Sequence, residues 1–186
     1  MNILPPHLGG SEGETHIDLG ALQFIVNATS GMGGVRSMLD VGCGPGGMVD
    51  LARKLGIQSF GVDGDTTINR GTLPVFIHDF TTGPVPLKRT FDLCWSVEFV
   101  EHVEEKYMDN FIQAFQACRF LMMTYAYPGQ GGHHHVNEQD TPYWIDKMTQ
   151  AGFIFEPQMT DGIRRASTMK QRYIRQHGLF FKNGRI

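Results

Sequence analysis

Residues 39–47 read LDVGCGPGG, a short apolar run carrying one aspartate and then four glycines in six residues. A strand that ends in Gly42, Gly44 and Gly46 and opens a helix brings bare backbone close to a nucleotide-like ligand that side chains would block. Gly42, Gly44 and Gly47 also satisfy the G-x-G-x-x-G pattern of dinucleotide sites, so the turn alone leaves the ligand open.

The flanking sequence supplies the rest of an α/β alternation. SMLDVG, SFGVD, VFIHDF, FDLCWS and RFLMMTYAY are short apolar runs of the length and composition of buried parallel strands. Helices are expected at 48–55, 104–117 and 141–151, with a covering helix in THIDLGALQFIVNATS and a basic one at 163–176. Between the third and fourth strands lies DFTTGPVPLKRT, 12 residues rich in Pro, Gly and Thr. No helix fits there, and about 3.3 Å per residue is ample for a bare crossover. Phe153 to Glu156 and Leu179 to Lys182 suit two final strands.

At 186 residues, 41% hydrophobic and 19% charged, the chain is long enough for one buried core and short for two. The expected organisation is a single domain over 1–186: a covering region 1–35, a ligand-binding core 36–126, and a loop with C-terminal strands over 127–186. No apolar run reaches the roughly 18 residues of a membrane span, and MNILPPHLGG is unlike a secretion leader. The expected location is therefore cytoplasmic. Cys43, Cys94 and Cys118 lack CxxC spacing and read as free thiols. Seven of the 16 basic residues follow position 160, which makes the tail locally basic.

Three carboxylates narrow the ligand. Asp40, two residues before Gly42, would repel a pyrophosphate but accept hydrogen bonds from a cationic, phosphate-free ligand. Asp63 ends the second strand in FGVDGD, placed to accept from ribose hydroxyls. Asp79 ends the third in IHDF, where a carboxylate can accept from an adenine amino group. A dehydrogenase is disfavoured by Asp40 and by the lack of a second domain.

With FDLCWSVEFVEHV, these motifs in this order across about residues 36–126 resemble the class I S-adenosylmethionine-dependent methyltransferases. The resemblance implies a Rossmann-like, doubly wound, mostly parallel seven-stranded sheet with an antiparallel C-terminal strand, here with one crossover helix missing. It implies S-adenosylmethionine as cofactor and S-adenosylhomocysteine as product. Asp40, Gly42 and Gly44 would line the methionine part, Asp63 the ribose, and Asp79 with Phe80 the adenine. Cys43, Gly46, Gly64 and Ser96 complete the expected cofactor contacts.

The acceptor is less constrained. WSVE stands where amino-methylating DNA enzymes of this fold carry an Asn/Asp-Pro-Pro-aromatic run, which disfavours that class. The first expectation is O-methylation of a small hydroxyl-bearing metabolite or sugar. The alternatives are a metal-assisted RNA 2'-O-methyltransferase, reaching nucleic acid through the basic tail, and a non-catalytic cofactor-binding protein of the same fold. The loop after the fifth strand, AYPGQGGHHHVN, should face the acceptor. His135 is the expected general base, with Asn137 orienting the acceptor and His133 and His134 as loop surface. A rival use of the same loop is metal binding. Glu98, Glu101 and His102, spaced i, i+3 and i+4, would share one helix face and with His135 form a site suited to Mg or Mn, resembling metal-dependent RNA 2'-O-methyltransferases.

Overall fold

A computed structural model describes residues 5–8 and 15–186. Part of MNILPPHLGG, residues 1–4 and 9–10, lies outside the described residues. Seven strands form one sheet: β1 (Ser37–Val41), β2 (Gln58–Asp63), β3 (Val75–Ile77), β4 (Phe91–Ser96), β5 (Cys118–Met123), β6 (Phe153–Phe155) and β7 (Leu179–Asn183). Their order is β3-β2-β1-β4-β5-β7-β6. The first five pair in parallel, and β7 runs antiparallel to both β5 and β6. This is the architecture expected from the strand runs.

The sheet is covered on both faces, which is why its strands are continuously apolar rather than alternating with polar residues. Successive residues point to opposite faces. Leu39, Cys94, Leu121 and Phe181 pack with Phe111 and Phe115 of α3 (Met108–Gln116) and Trp144 and Met148 of α4 (Thr141–Gln150). Met38, Leu93, Phe120 and Phe180 pack with Leu22 and Ile25 of α1 (Leu19–Ala28), Met48 and Ala52 of α2 (Gly47–Lys54), and Ile163 of α5 (Pro157–Ala166). Side-chain caps set where α1 and α4 begin: Asp18 accepts from the Ala21 amide and Asp140 from the Tyr143 amide, each at 2.9 Å.

The β3–β4 connection is bare of α-helix, as expected, with a single 3-10 turn at Phe80–Thr82. Its substitute for helix packing is local. Val85 is buried, and the Arg89 guanidinium lies 5.3 Å from the Phe60 ring and 5.0 Å from the Phe91 ring, covering apolar sheet surface with its stem and its charge. The β2–β3 connection, residues 64–74, is likewise without a helix. Two crossover helices are missing where the sequence marked one.

The basic helix expected over 163–176 is instead two, α5 and α6 (Tyr173–His177). The buried carboxylate of Asp18 accepts from the amides of Thr168 and Met169 and from the Ser167 hydroxyl. Those amides are thereby withdrawn from helical i−4 bonding, and the chain breaks between the two helices. Among the described residues no helix is long and apolar enough to cross a membrane.

Candidate active site

A cavity of about 360 Å³ opens over the carboxyl ends of β1, β2 and β4. Its first wall is the turn between β1 and α2. Gly42, Gly44 and Gly46 have φ of 77°, 50° and 86°, a region that costs an L side chain energy. At Gly42 there is no room either, since a Cβ would lie 2.6 Å from Phe99. Asp40, Gly42, Cys43 and Gly44 all line the cavity. Burial first, and Asp63 second, push the Asp40 carboxyl well above its ordinary range. Burial chiefly, with Asp40 and Asp63 adding, pushes the Cys43 thiol up as well, so that it remains a thiol.

Asp63, Gly64, Asp79 and Phe80 line the second wall. Asp63 Oδ2 accepts from the Gly44 amide at 2.8 Å, and Oδ1 accepts from the Asp65 amide at 2.9 Å and from Arg70 Nη2 at 2.6 Å. Burial pushes Asp63 up, opposed by the two amides and the guanidinium. Burial also acts on Asp79, but the Thr81 amide and His7 outweigh it, so this carboxyl lies below its usual value. Its Oδ2 sits 3.1 Å from His7 Nε2.

Two expected cofactor residues are placed elsewhere. Ser96 is fully buried and its hydroxyl donates to the Val41 carbonyl at 3.0 Å, tying β4 to β1; Trp95 and Val97 face the cavity instead. Gly46 is absent from the lining. It is the N-cap of α2, and a Cβ there would meet Leu73 at 2.8 Å, so the position serves the turn rather than the ligand.

The third wall joins the β4 end to the loop after β5. Glu98, Glu101 and His102 do not share a helix face. Glu98 stands at φ 53°, its amide held by the Thr124 hydroxyl at 2.9 Å, and a 3-10 turn follows at Val100–His102. That kink still brings side chains together. One ligand atom each of Glu101, His102 and His135 lie within 4.8 Å of one another. The His102 and His135 rings meet edge to face at 5.0 Å. Glu101 is fully buried, against the Glu98 carboxyl and the amides of Phe99 and of Glu101 itself. Burial, then the neighbouring Glu98, pushes it well above a normal carboxyl. Burial raises Glu98 to about 7. Burial, then His135, lowers His102 to about 4, which keeps its ring neutral and able to act as a ligand.

His135 is oriented by a residue that the sequence reading passed over. Glu138 Oε1 lies 3.1 Å from His135 Nδ1, and the same carboxylate accepts from the amides of Gly129 at 2.7 Å and Gly131 at 2.6 Å. The loop 129–138 is thus closed on Glu138, with His135 Nε2 left for the cavity. The signal available was the i, i+3 spacing of a His and a Glu just after a run of glycines. Asn137, expected to orient the acceptor, is buried and is not part of the cavity lining. The amides of Val136 and Asn137 both donate to the Glu101 carbonyl, which fastens the loop to the β4 end. His133 is exposed and His134 half-buried, at the cavity mouth.

This fold, with a glycine turn and acidic strand ends around one cavity, defines the class I S-adenosylmethionine-dependent methyltransferases. Residues 39–119 match a family model described as a methyltransferase domain. Solved structures share the architecture. The sugar N-methyltransferase KedS8 from Streptoalloteichus sp. superposes with a TM-score of 0.64 at 14% identity, covering 89% of this chain and 87% of that one. A TehB-like SAM-dependent methyltransferase from Corynebacterium glutamicum gives 0.61 at 16% identity, over 88% and 87%. The plantazolicin methyltransferase BpumL, in complex with SAH, gives 0.60 at 13% identity, over 89% and 83%. At such identities the likeness is one of fold. No curated protein matches the sequence.

Proposed function

We propose that the chain transfers the methyl group of S-adenosylmethionine to a hydroxyl oxygen, with a divalent cation of the Mg or Mn type held at the Glu101–His102–His135 cluster beside Glu98. One observation carries this reading: ligand atoms of the fully buried Glu101 and of two imidazoles, His102 and His135, lie within 4.8 Å of one another beside a second carboxyl, Glu98. Without a cation, burial and Glu98 keep Glu101 protonated; a bound cation would displace that proton and hold the carboxylate. The span also fits. Ligands on an Mg-sized ion stand about 3.0 Å apart when adjacent and about 4.2 Å when opposite, so side chains within 4.8 Å reach one ion by small rotamer adjustments. When bound, the cation would acidify the acceptor hydroxyl and hold it in place.

The protein's own residues supply the rest. The backbone of the glycine turn would hold the methionine part of the cofactor, and Asp63 and Asp79 would accept from its ribose and adenine. Because the cofactor brings its own leaving group, in-line positioning supplies most of the catalysis. Among the described residues lining the cavity there is no lysine or arginine, while six carboxylates line it: Asp40, Asp63, Asp65, Asp79, Glu98 and Glu104. That lining favours an acceptor whose inserted end is an uncharged, hydroxyl-bearing group such as a sugar or nucleoside ribose. In the basic tail Arg175 spends its guanidinium on the carbonyls of Ser167, Met169, Lys170 and Gln171, and Arg164 donates to Gly178, while Arg165, Lys170 and Arg172 stay exposed.

The His135–Glu138 contact favours a second reading, in which His135 Nε2 takes the hydroxyl proton unaided by metal. Transfer of labelled methyl to a panel of sugars, nucleosides and short RNAs, with and without chelator, separates the two. Activity lost to chelator and restored by Mn supports the first reading, and activity indifferent to chelator supports the second. Labelling of amines alone contradicts both.

A further inference from the structure

The helix-free β2–β3 connection is ordered by one guanidinium. The Arg70 side chain is 6% exposed. Its Nη2 donates to Asp63 Oδ1 at 2.6 Å, Nε to the Gly44 carbonyl at 2.7 Å, and Nη1 to the carbonyls of Asp65 at 2.7 Å and Ile68 at 3.3 Å. The Gly44 amide in turn donates to Asp63 Oδ2 at 2.8 Å. Gly44, Asp63 and Arg70 therefore close a ring: Asp63 holds the N–H of Gly44, Arg70 holds its C=O, and the two side chains hold each other.

A carboxylate has about four acceptor positions. The amides of Gly44 and Asp65 and the Arg70 guanidinium take three of those on Asp63. What remains is one direction, and that direction is set by Arg70. We infer that Arg70 is a positioning residue for the cofactor: by gripping Asp63 and Gly44 together it aims the one open acceptor position of Asp63 at the ribose and fixes the glycine turn against the methionine part. It performs the ordering that a crossover helix would otherwise give to residues 64–74. A lysine cannot substitute, because an ammonium lacks the planar fork that reaches a carboxylate and separate carbonyls at once. The inference rests on the reading of Asp63 as the ribose acceptor.

The test is calorimetric binding of S-adenosylhomocysteine to the parent, Asp63→Asn, Arg70→Gln, Arg70→Lys and the Asp63→Asn/Arg70→Gln double variant, each first checked for a cooperative melt. The expected result is at least a tenfold loss in both single variants at Asp63 and Arg70→Gln, no rescue by Arg70→Lys, and a double variant within about twofold of either single. A pH profile adds a readout that a purely structural role would not move. The charged or titratable groups facing Asp63 are Asp40 from β1, Cys43 from the glycine turn, and Asp65 and Arg70 from the β2–β3 connection. Without the guanidinium these leave Asp63 easier to protonate, so Arg70→Gln is expected to lose more affinity than the parent between pH 8 and 6. If Arg70→Gln does not fold, Arg70→Lys carries the test with the same tenfold loss. Parent-like binding by Asp63→Asn would overturn the ribose reading. Loss in Asp63→Asn with parent-like binding in the folded Arg70 variants, or fully additive losses in the double variant, would overturn the role given to Arg70 alone.

Discussion

His135 Nδ1 and Glu138 Oε1 stand 3.1 Å apart, and the carboxylate that holds the ring also receives the amides of Gly129 and Gly131. Outer partners of this kind fix a ring's tautomer and direction, and removing one costs about 10- to 100-fold in metal affinity or activity. Glu138→Gln is accordingly expected to lower methyl transfer by that factor while leaving cofactor affinity within twofold. The check is a comparison of rate with calorimetric cofactor binding. An unchanged rate would show that His135 needs no second partner.

The paired acids near His102 give a stability prediction whose sign is fixed. Glu98 is raised from 4.5 to about 7 and Glu101 well above its usual range, both chiefly by burial. An acid with a raised folded-state pKa gives up protons more readily when unfolded. Its contribution is therefore fully present below about pH 4.5 and is lost as pH climbs to about 7. At about 1.4 kcal/mol per pH unit, Glu98 accounts for up to about 3 kcal/mol of that loss. Urea unfolding in chelator should show stability falling from pH 5 to 8, with Glu98→Gln flattening the fall. A stability that rises over this interval would contradict the burial of the pair.

Gly42→Ala asks for a side chain at φ 77° and 2.6 Å from Phe99. The backbone strain is about 1 to 3 kcal/mol, and the displaced Phe99 belongs to the cavity wall. The expected outcome is a lower melting temperature and at least a tenfold weaker cofactor complex. Gly31→Ala, where a Cβ meets nothing within 4 Å, is the matched control and should bind as the parent does.

The order of strands, the glycine turn and the acidic ends of β2 and β3 were legible because each is a local pattern: a buried apolar run, a positive-φ turn, a carboxylate at a strand end. What escaped the sequence depends on how loops close. Ser96 sits at the right end of β4, yet pleat alternation turns it inward to Val41. Asn137 lies in the cavity-mouth loop, yet its amide bonds to the Glu101 carbonyl and its side chain is buried outside the cavity lining. Arg70 and Glu138 lie in segments without periodicity, where a side chain that organises a loop looks like any solvated charge. In the basic tail part of the charge is spent on nearby carbonyls, which its sequence does not show.

That spending is testable. Arg175→Ala leaves the carbonyls of Ser167, Met169, Lys170 and Gln171 without this donor, and is expected to cost about 2 kcal/mol of stability. Fluorescence anisotropy with RNA oligomers should show only weak binding by the parent, and no further loss in the variant. A tight complex whose affinity falls steeply with salt would assign the tail to phosphate contact instead.

The account stands most directly on whether the Glu101 cluster takes a cation beside the bound cofactor. Calorimetric titration of Mn into the protein saturated with S-adenosylhomocysteine is expected to show one ion per chain, with affinity reduced at least 100-fold in Glu101→Gln and cofactor affinity unchanged. Equal Mn binding by parent and Glu101→Gln, or none in either while the cofactor is bound, would contradict it.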